Sequence, residues 1–414
     1  MRQKLTLVIN ISLALMIVLG IVLTVSCAKP AEPAAAKPIV IACVGELAGA
    51  MAIPEGQNLF EGKHLAIKEF NRTGGVLGRV IEYRDIHEGY TTEEVVGAFK
   101  KAISLKPNVI IGGTEAGTTD AAVPFLKESG IPFVVDWASA MTASDPDSKD
   151  YGFRIGYFAH QYWTTYKNFV EKNGYKSFGF LTIDAGYGYQ CRDEVLSYWS
   201  APNSPVKITD LLFYTWGTAS TDPEITKLVA GKPDAIVLGM WGTSIIVPAI
   251  KKLRELGYKG AIIMDVGCLP AQDVAAMPEL FDGVYVFEAW IEDRNVKENA
   301  DFADAVRADC DLIPNVEIVN TYIATKAVLM AMQSAGTADD AAKICDAMFK
   351  INFTTPLGEK WMLLPGGQAY YGQSWIQVAK NGKLETVYSN NIPLSAYDKP
   401  KDWYGAYLKE TGKK

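Results

Sequence analysis

From Ile39 onward the sequence switches repeatedly between short apolar runs and stretches of helical periodicity, and this alternation limits the possible folds more than any other feature. Ile39–Gly45 (IVIACVG) has the look of a strand buried on both faces. The next segment, 58–72, places Leu59, Ala66 and Phe70 near one helical face before Gly74-Gly75 ends it. Strands over 80–86, 108–111 and 131–135 follow, with helices over 92–105 and 121–129 between them. A second series of the same plan starts near Tyr157. Its helices cover 163–173, 190–198, 223–229, 244–256 and 272–277, and its strands cover 178–183, 207–213, 235–238, 261–264 and 284–287. Such alternation implies parallel strands joined by right-handed crossovers. Helices over 298–308, 318–334 and 338–349 come next, and a terminal hairpin is expected around Asn381-Gly382. Two similar series give an α/β architecture of two doubly wound parallel-sheet lobes with a cleft between them.

The first residues carry Arg2 and Lys4, and an apolar run from Leu5 to Val25 leads to Ser26-Cys27. A charged start followed by an apolar core is the pattern of a secretory signal. A small residue before a cysteine resembles a bacterial lipoprotein box, although Thr24 stands where such boxes have leucine and Leu23 lies one residue earlier. An uncleaved anchor helix is the competing reading, since the run is long enough to cross a bilayer. The Pro- and Ala-rich segment 28–38 favours the lipoprotein, because it suits a tether between a lipid on Cys27 and a folded body. The expected divisions are therefore a signal over 1–26 and a lipidated Cys27 with tether over 27–37. The protein would act in the periplasm or at the outer face of the cytoplasmic membrane. Without residues 1–26 the chain has 38 basic and 47 acidic residues, a net charge of −9 that argues against nucleic acid as a partner.

Besides Cys27 the cysteines are 43, 191, 268, 310 and 345, an odd number, so at least one is unpaired and no connectivity can be read. Cys43, inside a strand pattern, is expected to be a small core residue. The three histidines, His64, His87 and His160, fall in no metalloprotease pattern, and the chain has no nucleophile elbow, phosphate loop or Cys-x-x-Cys. No enzyme activity, metal or cofactor is expected.

Five stretches in order then carry a resemblance to the type I periplasmic binding proteins of the leucine/isoleucine/valine-binding family. They are GELAG at 45–49, FEGKHLAIKEFNRTGGVLG at 60–78, the strand-loop-helix of 110–132 with its Gly-Ile-Pro step, DAGYG at 184–188, and FTTPLG at 353–358. The resemblance implies a lipid-anchored solute-binding component of an ABC importer that closes over a small ligand, a branched-chain or related amino acid, and hands it to a membrane permease. It also implies three crossings between lobes, near 156–157, 287–288 and 355–357. Lobe 1 would be 38–156 plus 288–355, and lobe 2 would be 157–287 plus 356–414. A sensory receptor of the same fold is the competing class, and a transmembrane segment joined to a signalling domain would mark it.

Ligand candidates come from loops at the carboxyl ends of the strands, where open parallel sheets bind ligands. The loop 112–119 stands at a helix start, where backbone N–H groups suit a carboxylate. An ordinary Gly-rich turn with Thr as cap is its plain alternative. By the resemblance, Ala116 replaces the family's carboxylate-binding serine, leaving the N–H groups of Gly117 and Thr118 and the Thr118 hydroxyl to do its work. Ser139 matches a threonine that contacts the amino-acid head group, and Trp137 is larger than the residue usual beside it. Tyr187 matches a stacking tyrosine, and Trp241 falls where another aromatic closes on the ligand. Asp265 is the nearest match to the acid that meets the α-ammonium, with one residue of slack that would put Val266 there. Glu46 and Glu115 are unusual acids in lobe 1 loops, either second cation contacts or solvated rim charges. With Tyr157, these aromatics make an aromatic carboxylate the second ligand class.

Overall fold

Both strand series close into seven-stranded sheets in a computed structural model that describes residues 37–49, 55–144, 151–157 and 159–397. The signal, Cys27 and most of the tether lie outside the described residues. Both sheets belong to the unit that starts at Ile39.

The first sheet is built on β1 (Ile39–Gly45), β2 (Ile81–His87), β3 (Val109–Gly112), β4 (Phe133–Val135) and β5 (Gly152–Arg154), all parallel. The second has β6 (Ser177–Ile183), β7 (Lys207–Tyr214), β8 (Ala235–Leu238), β9 (Ala261–Met264) and β10 (Tyr285–Glu288), also parallel. β1, β3 and β8 are almost wholly buried, as strands covered by helices on both faces must be. Cys43 is buried in β1, and the five described cysteines are all free thiols.

After β10 the chain returns to the first sheet and forms helices Lys297–Cys310, Val316–Ala335 and Ala341–Met348, the first two of which pack on helix Gln57–Arg72. It then adds two short strands, β11 (Leu363–Leu364) and β12 (Gln368–Ala369), to the outer edge of that sheet, where Gln368 pairs with Arg154. This differs from the expected third crossing at 355–357: the chain changes lobes between Ala369 and Gln373, so lobe 1 keeps the residues up to 369. Two-residue strands have no periodicity to read. The second sheet is completed by β13 (Gln373–Lys380) and β14 (Lys383–Asn391), the expected hairpin, whose turn places Asn381 at φ 50° and Gly382 at φ 75°.

Tyr157 ties the three crossings together. Its carbonyl accepts from the Ser139 hydroxyl at 2.6 Å, its own hydroxyl donates to the Ala289 carbonyl at 3.4 Å, and its ring stacks on Tyr371 at 4.7 Å. First, second and third connections thus meet at one aromatic side chain. Among the described residues, no helix is long and apolar enough to cross a membrane.

Candidate functional site

The carboxyl ends of both sets of parallel strands face one cavity of about 300 Å³. From lobe 1 come Glu46 after β1, Glu88 to Thr92 after β2, Thr114 to Thr118 after β3, and Trp137 and Ser139 after β4. Lobe 2 contributes Tyr162, Asp184, Tyr187, Trp216, Trp241 and Val266, and Tyr157 joins from the first crossing. Of the residues expected from sequence, Glu46, Glu115, Ala116, Gly117, Thr118, Trp137, Ser139, Tyr187 and Trp241 line the cavity.

Asp265 does not. It is fully buried behind Tyr187, and both of its oxygens are taken: Oδ1 accepts from the Tyr166 hydroxyl at 2.7 Å and the Val266 N–H at 2.8 Å, and Oδ2 accepts from the Tyr187 hydroxyl at 2.7 Å. The expected contact between Asp265 and a ligand ammonium therefore gives way to a positioning role, in which Asp265 fixes the Tyr187 ring against Trp241, 5.2 Å away edge-on. Val266, one residue on, is the residue that reaches the cavity.

Glu115 is the N-cap of helix Ala116–Ser129. Its Oε2 accepts from the Thr118 N–H at 2.7 Å, and its Oε1 accepts from the Tyr187 N–H at 3.5 Å, on the helix Gly186–Trp199 of the other lobe. The loop that suited a ligand carboxylate therefore already holds one, supplied by the chain itself. Beside it the two lobes approach so closely that a Cβ on Gly186 would lie 2.8 Å from the Gly117 nitrogen. Tyr90 and Trp216 also meet across the cleft, their centroids 6.0 Å apart. These contacts describe a cleft with its lobes together.

Sequence reasoning missed Glu55 and Glu88. Glu55 sits at the entry to helix Gln57–Arg72, brought beside Glu46 because Gly56 lacks a Cβ that would fall 2.0 Å from the Glu46 carbonyl oxygen. Glu88 directly follows β2, a position that the strand-end rule could have found. Glu46, Glu55 and Glu88 line the cavity, are at most 6% exposed, and each keeps a buried Oε2 without a hydrogen-bond partner. Burial, followed by the charge of Glu88, pushes the Glu46 carboxyl up to about 8. Burial raises Glu88 to about 7 against the pull of Thr114 and Lys63, and burial with Glu317 and Glu46 holds Glu55 well above the ordinary range. The Lys63 ammonium is itself committed, 2.8 Å from buried Asp136. No Lys, Arg or His is among the described residues lining the cavity.

His64 bonds Asp85 at 3.1 Å and stacks on Tyr83, and His87 accepts from the Leu47 N–H at 3.2 Å. Neither lines the cavity. Among the described residues no group of three acids, histidines or cysteines is arranged to hold a metal.

This architecture is matched by a family model. Residues 38–383 match the one described as "Periplasmic binding protein". The chain belongs to the periplasmic binding protein family. Solved structures with the same fold include a solute-binding protein of R. palustris in complex with benzoate, 19% identical at TM-score 0.74, covering 84% of this chain and 95% of that one. A branched-chain amino acid binding protein of Streptococcus pneumoniae in complex with isoleucine is 21% identical at TM-score 0.74, covering 86% and 99%. A second R. palustris protein, in complex with 4-hydroxybenzoate, is 17% identical at TM-score 0.76, covering 86% and 98%. No protein with a curated description matches the sequence. In this periplasmic binding protein the two-lobe type I fold and the resemblance noted from the sequence agree.

Proposed function

We propose that the chain is the extracytoplasmic solute-binding component of an ABC importer, exported by its N-terminal signal, held at the membrane by a lipid on Cys27, and delivering a small ligand to a permease. The cavity between the strand ends of two lobes that share three crossings carries this reading, because such a cleft can open by bending at the crossings and close over a ligand without disturbing either sheet. An amino acid is the ligand class that the sequence resemblance implies, and the lining supplies acids for its ammonium and aromatic rings for a side chain. Aromatic carboxylates, the ligands named for two proteins of the same fold, are favoured by the rings but meet no lining cation.

Purified residues 28–414 screened by thermal shift against amino acids, amines and aromatic acids should return a ligand that adds ~2.7 kcal/mol of stability at 100 times its dissociation constant. Small-angle scattering should then show compaction. An unchanged radius of gyration at saturation would refute closure. Metabolic labelling with palmitate should mark the wild-type chain and not Cys27→Ala; label on the variant would refute the lipid anchor.

A further inference from the structure

Of the two charges on a free amino acid, this cleft is equipped to receive only one. The helix N-terminus that would receive a carboxylate is occupied by Glu115, which also reaches the start of the facing helix in lobe 2. On the other side of the cavity three carboxyls from separate elements, Glu46, Glu55 and Glu88, each present an unpartnered buried oxygen. We infer that the cleft takes a small organic cation without a carboxylate, a primary amine or guanidine, whose charged N–H head is received by Glu46, Glu55 and Glu88. This deepens the solute-binding reading and rests on it.

The stoichiometry of donors fits. An ammonium has three N–H donors and no acceptor, and three buried carboxyl oxygens lack a donor. Burying a charge is costly unless it meets an opposite charge and hydrogen bonds, and the acids provide both, while a ligand carboxylate would add a negative charge to a lining that has no cation. Trp137, Tyr90 and Trp216 add aromatic rings to the lining, and a ring face attracts a cation within about 6 Å. Burial, the largest cause in each case, raises all three carboxyls, Glu46 to about 8 and Glu88 to about 7, so without a ligand they keep protons to higher pH than ordinary carboxyls do. The other charged and titratable groups around them are Tyr90, Glu94 and His87 near Glu46, Glu317 near Glu55, and Lys63 with Asp136 near Glu88. Binding a cation must expel those protons, so amine affinity should rise with pH.

Matched pairs test this by calorimetry on residues 28–414: leucine against 3-methylbutylamine, tyrosine against tyramine, and arginine against agmatine, with benzoate as the anionic control. At least one amine should bind, and about tenfold or more tighter than its parent amino acid. Its affinity should rise from about pH 6 to about pH 8.5 as the carboxyls deprotonate. Glu46→Gln and Glu88→Gln should each weaken the amine by about tenfold while leaving the melting temperature of the ligand-free protein unchanged or raised, since a buried ionisable group is replaced by a neutral one of the same shape. An amino acid or benzoate that binds tighter than every amine, or glutamine variants that bind the amine like wild type, overturns the inference and leaves solute binding standing. A protein that no member of the panel binds or compacts overturns both.

Discussion

Substituting Gly186 by alanine should separate lobe closure from lobe stability. Gly186 is the first residue of helix Gly186–Trp199, and its missing side chain is what lets that helix start meet the one in lobe 1. A Cβ built there would lie 2.8 Å from the Gly117 nitrogen, 3.0 Å from its Cα and 3.3 Å from Glu115 Oε1. Non-bonded atoms prefer about 3.5–4.0 Å, so the lobes would have to part by roughly 0.5–1 Å at this point, losing about a quarter to a half of each local contact. Overpacking of this kind costs about 1–3 kcal/mol, here charged only to the closed form. Ligand affinity should therefore fall by roughly 5- to 150-fold. The isolated lobes gain instead, because alanine is favoured over glycine in a helix by up to about 1 kcal/mol, so the ligand-free melting temperature should hold or rise.

Gly117→Ala is the control. Its Cβ would meet Gly186 at 3.6 Å and Glu115 Oε2 at 3.4 Å, ordinary contact distances, so its affinity should stay within about threefold of wild type. Calorimetry with the ligand returned by the screen, and scattering at saturation, read both variants. Wild-type affinity in Gly186→Ala, or equal loss in the two variants, would show that the lobes do not close through this contact.

Asp265→Asn should weaken ligand binding severalfold through Tyr187 and cost about 1–3 kcal/mol of stability; in a double-mutant cycle with Tyr187→Phe the affinity losses should be far from additive, and additive losses would remove the positioning role. Glu115→Ala should lose a helix cap worth about 1 kcal/mol and free two helix starts for an external anion, so benzoate should raise the melting temperature of the variant and leave that of the wild type unmoved. Ligand-free stability should decline from about pH 5.5 to about pH 8.5, by roughly 5 °C in melting temperature. Burial pushes Glu46 up to about 8 and Glu88, Glu317 and Asp265 up to about 7, so the folded state holds protons that the unfolded chain has lost. That contribution is complete below the unfolded carboxyl range and disappears as pH climbs through the folded values; a flat profile across this window would refute it.

The parts of the fold visible in the sequence are those where one local rule acts alone. Asn381-Gly382 announces its hairpin because both turn positions need positive φ, and IVIACVG announces β1 because a strand covered on both faces has no polar side to alternate. β5, β11 and β12 have two or three residues each, and β11 and β12 join the first sheet only because Gln368 pairs with Arg154, far back along the chain. That is why the third crossing falls later than the motif at 353–358 implies.

At the site the same division holds. Strand-end loops identified most of the lining, since the carboxyl ends of parallel strands must open on the cleft. They could not say which way each side chain turns. Asp265 and Val266 are adjacent at the end of β9, yet Asp265 turns under Tyr166 and Tyr187 while Val266 turns into the cavity. Nor could sequence show that Glu115 folds back on its own helix start, an ordinary N-cap bond with the large consequence of filling the place expected for a ligand's carboxylate. Glu88 follows its strand as directly as Gly113 follows β3, but an isolated acid after a strand reads as a solvated rim charge until its burial is known. Burial converts Glu46, Glu55 and Glu88 from surface charges into groups that require a partner, and they are buried among lobe 1 residues that lie far apart in the sequence, with Thr114, Lys63 and Asp136 near Glu88 and Trp137 and Glu317 near Glu55. The chemistry of this ligand site therefore resides in the carboxyls that lobe 1 buries at the cavity and in the glycine contact between the lobes, and the experiments that count are those that change one of these and leave the rest of each lobe alone.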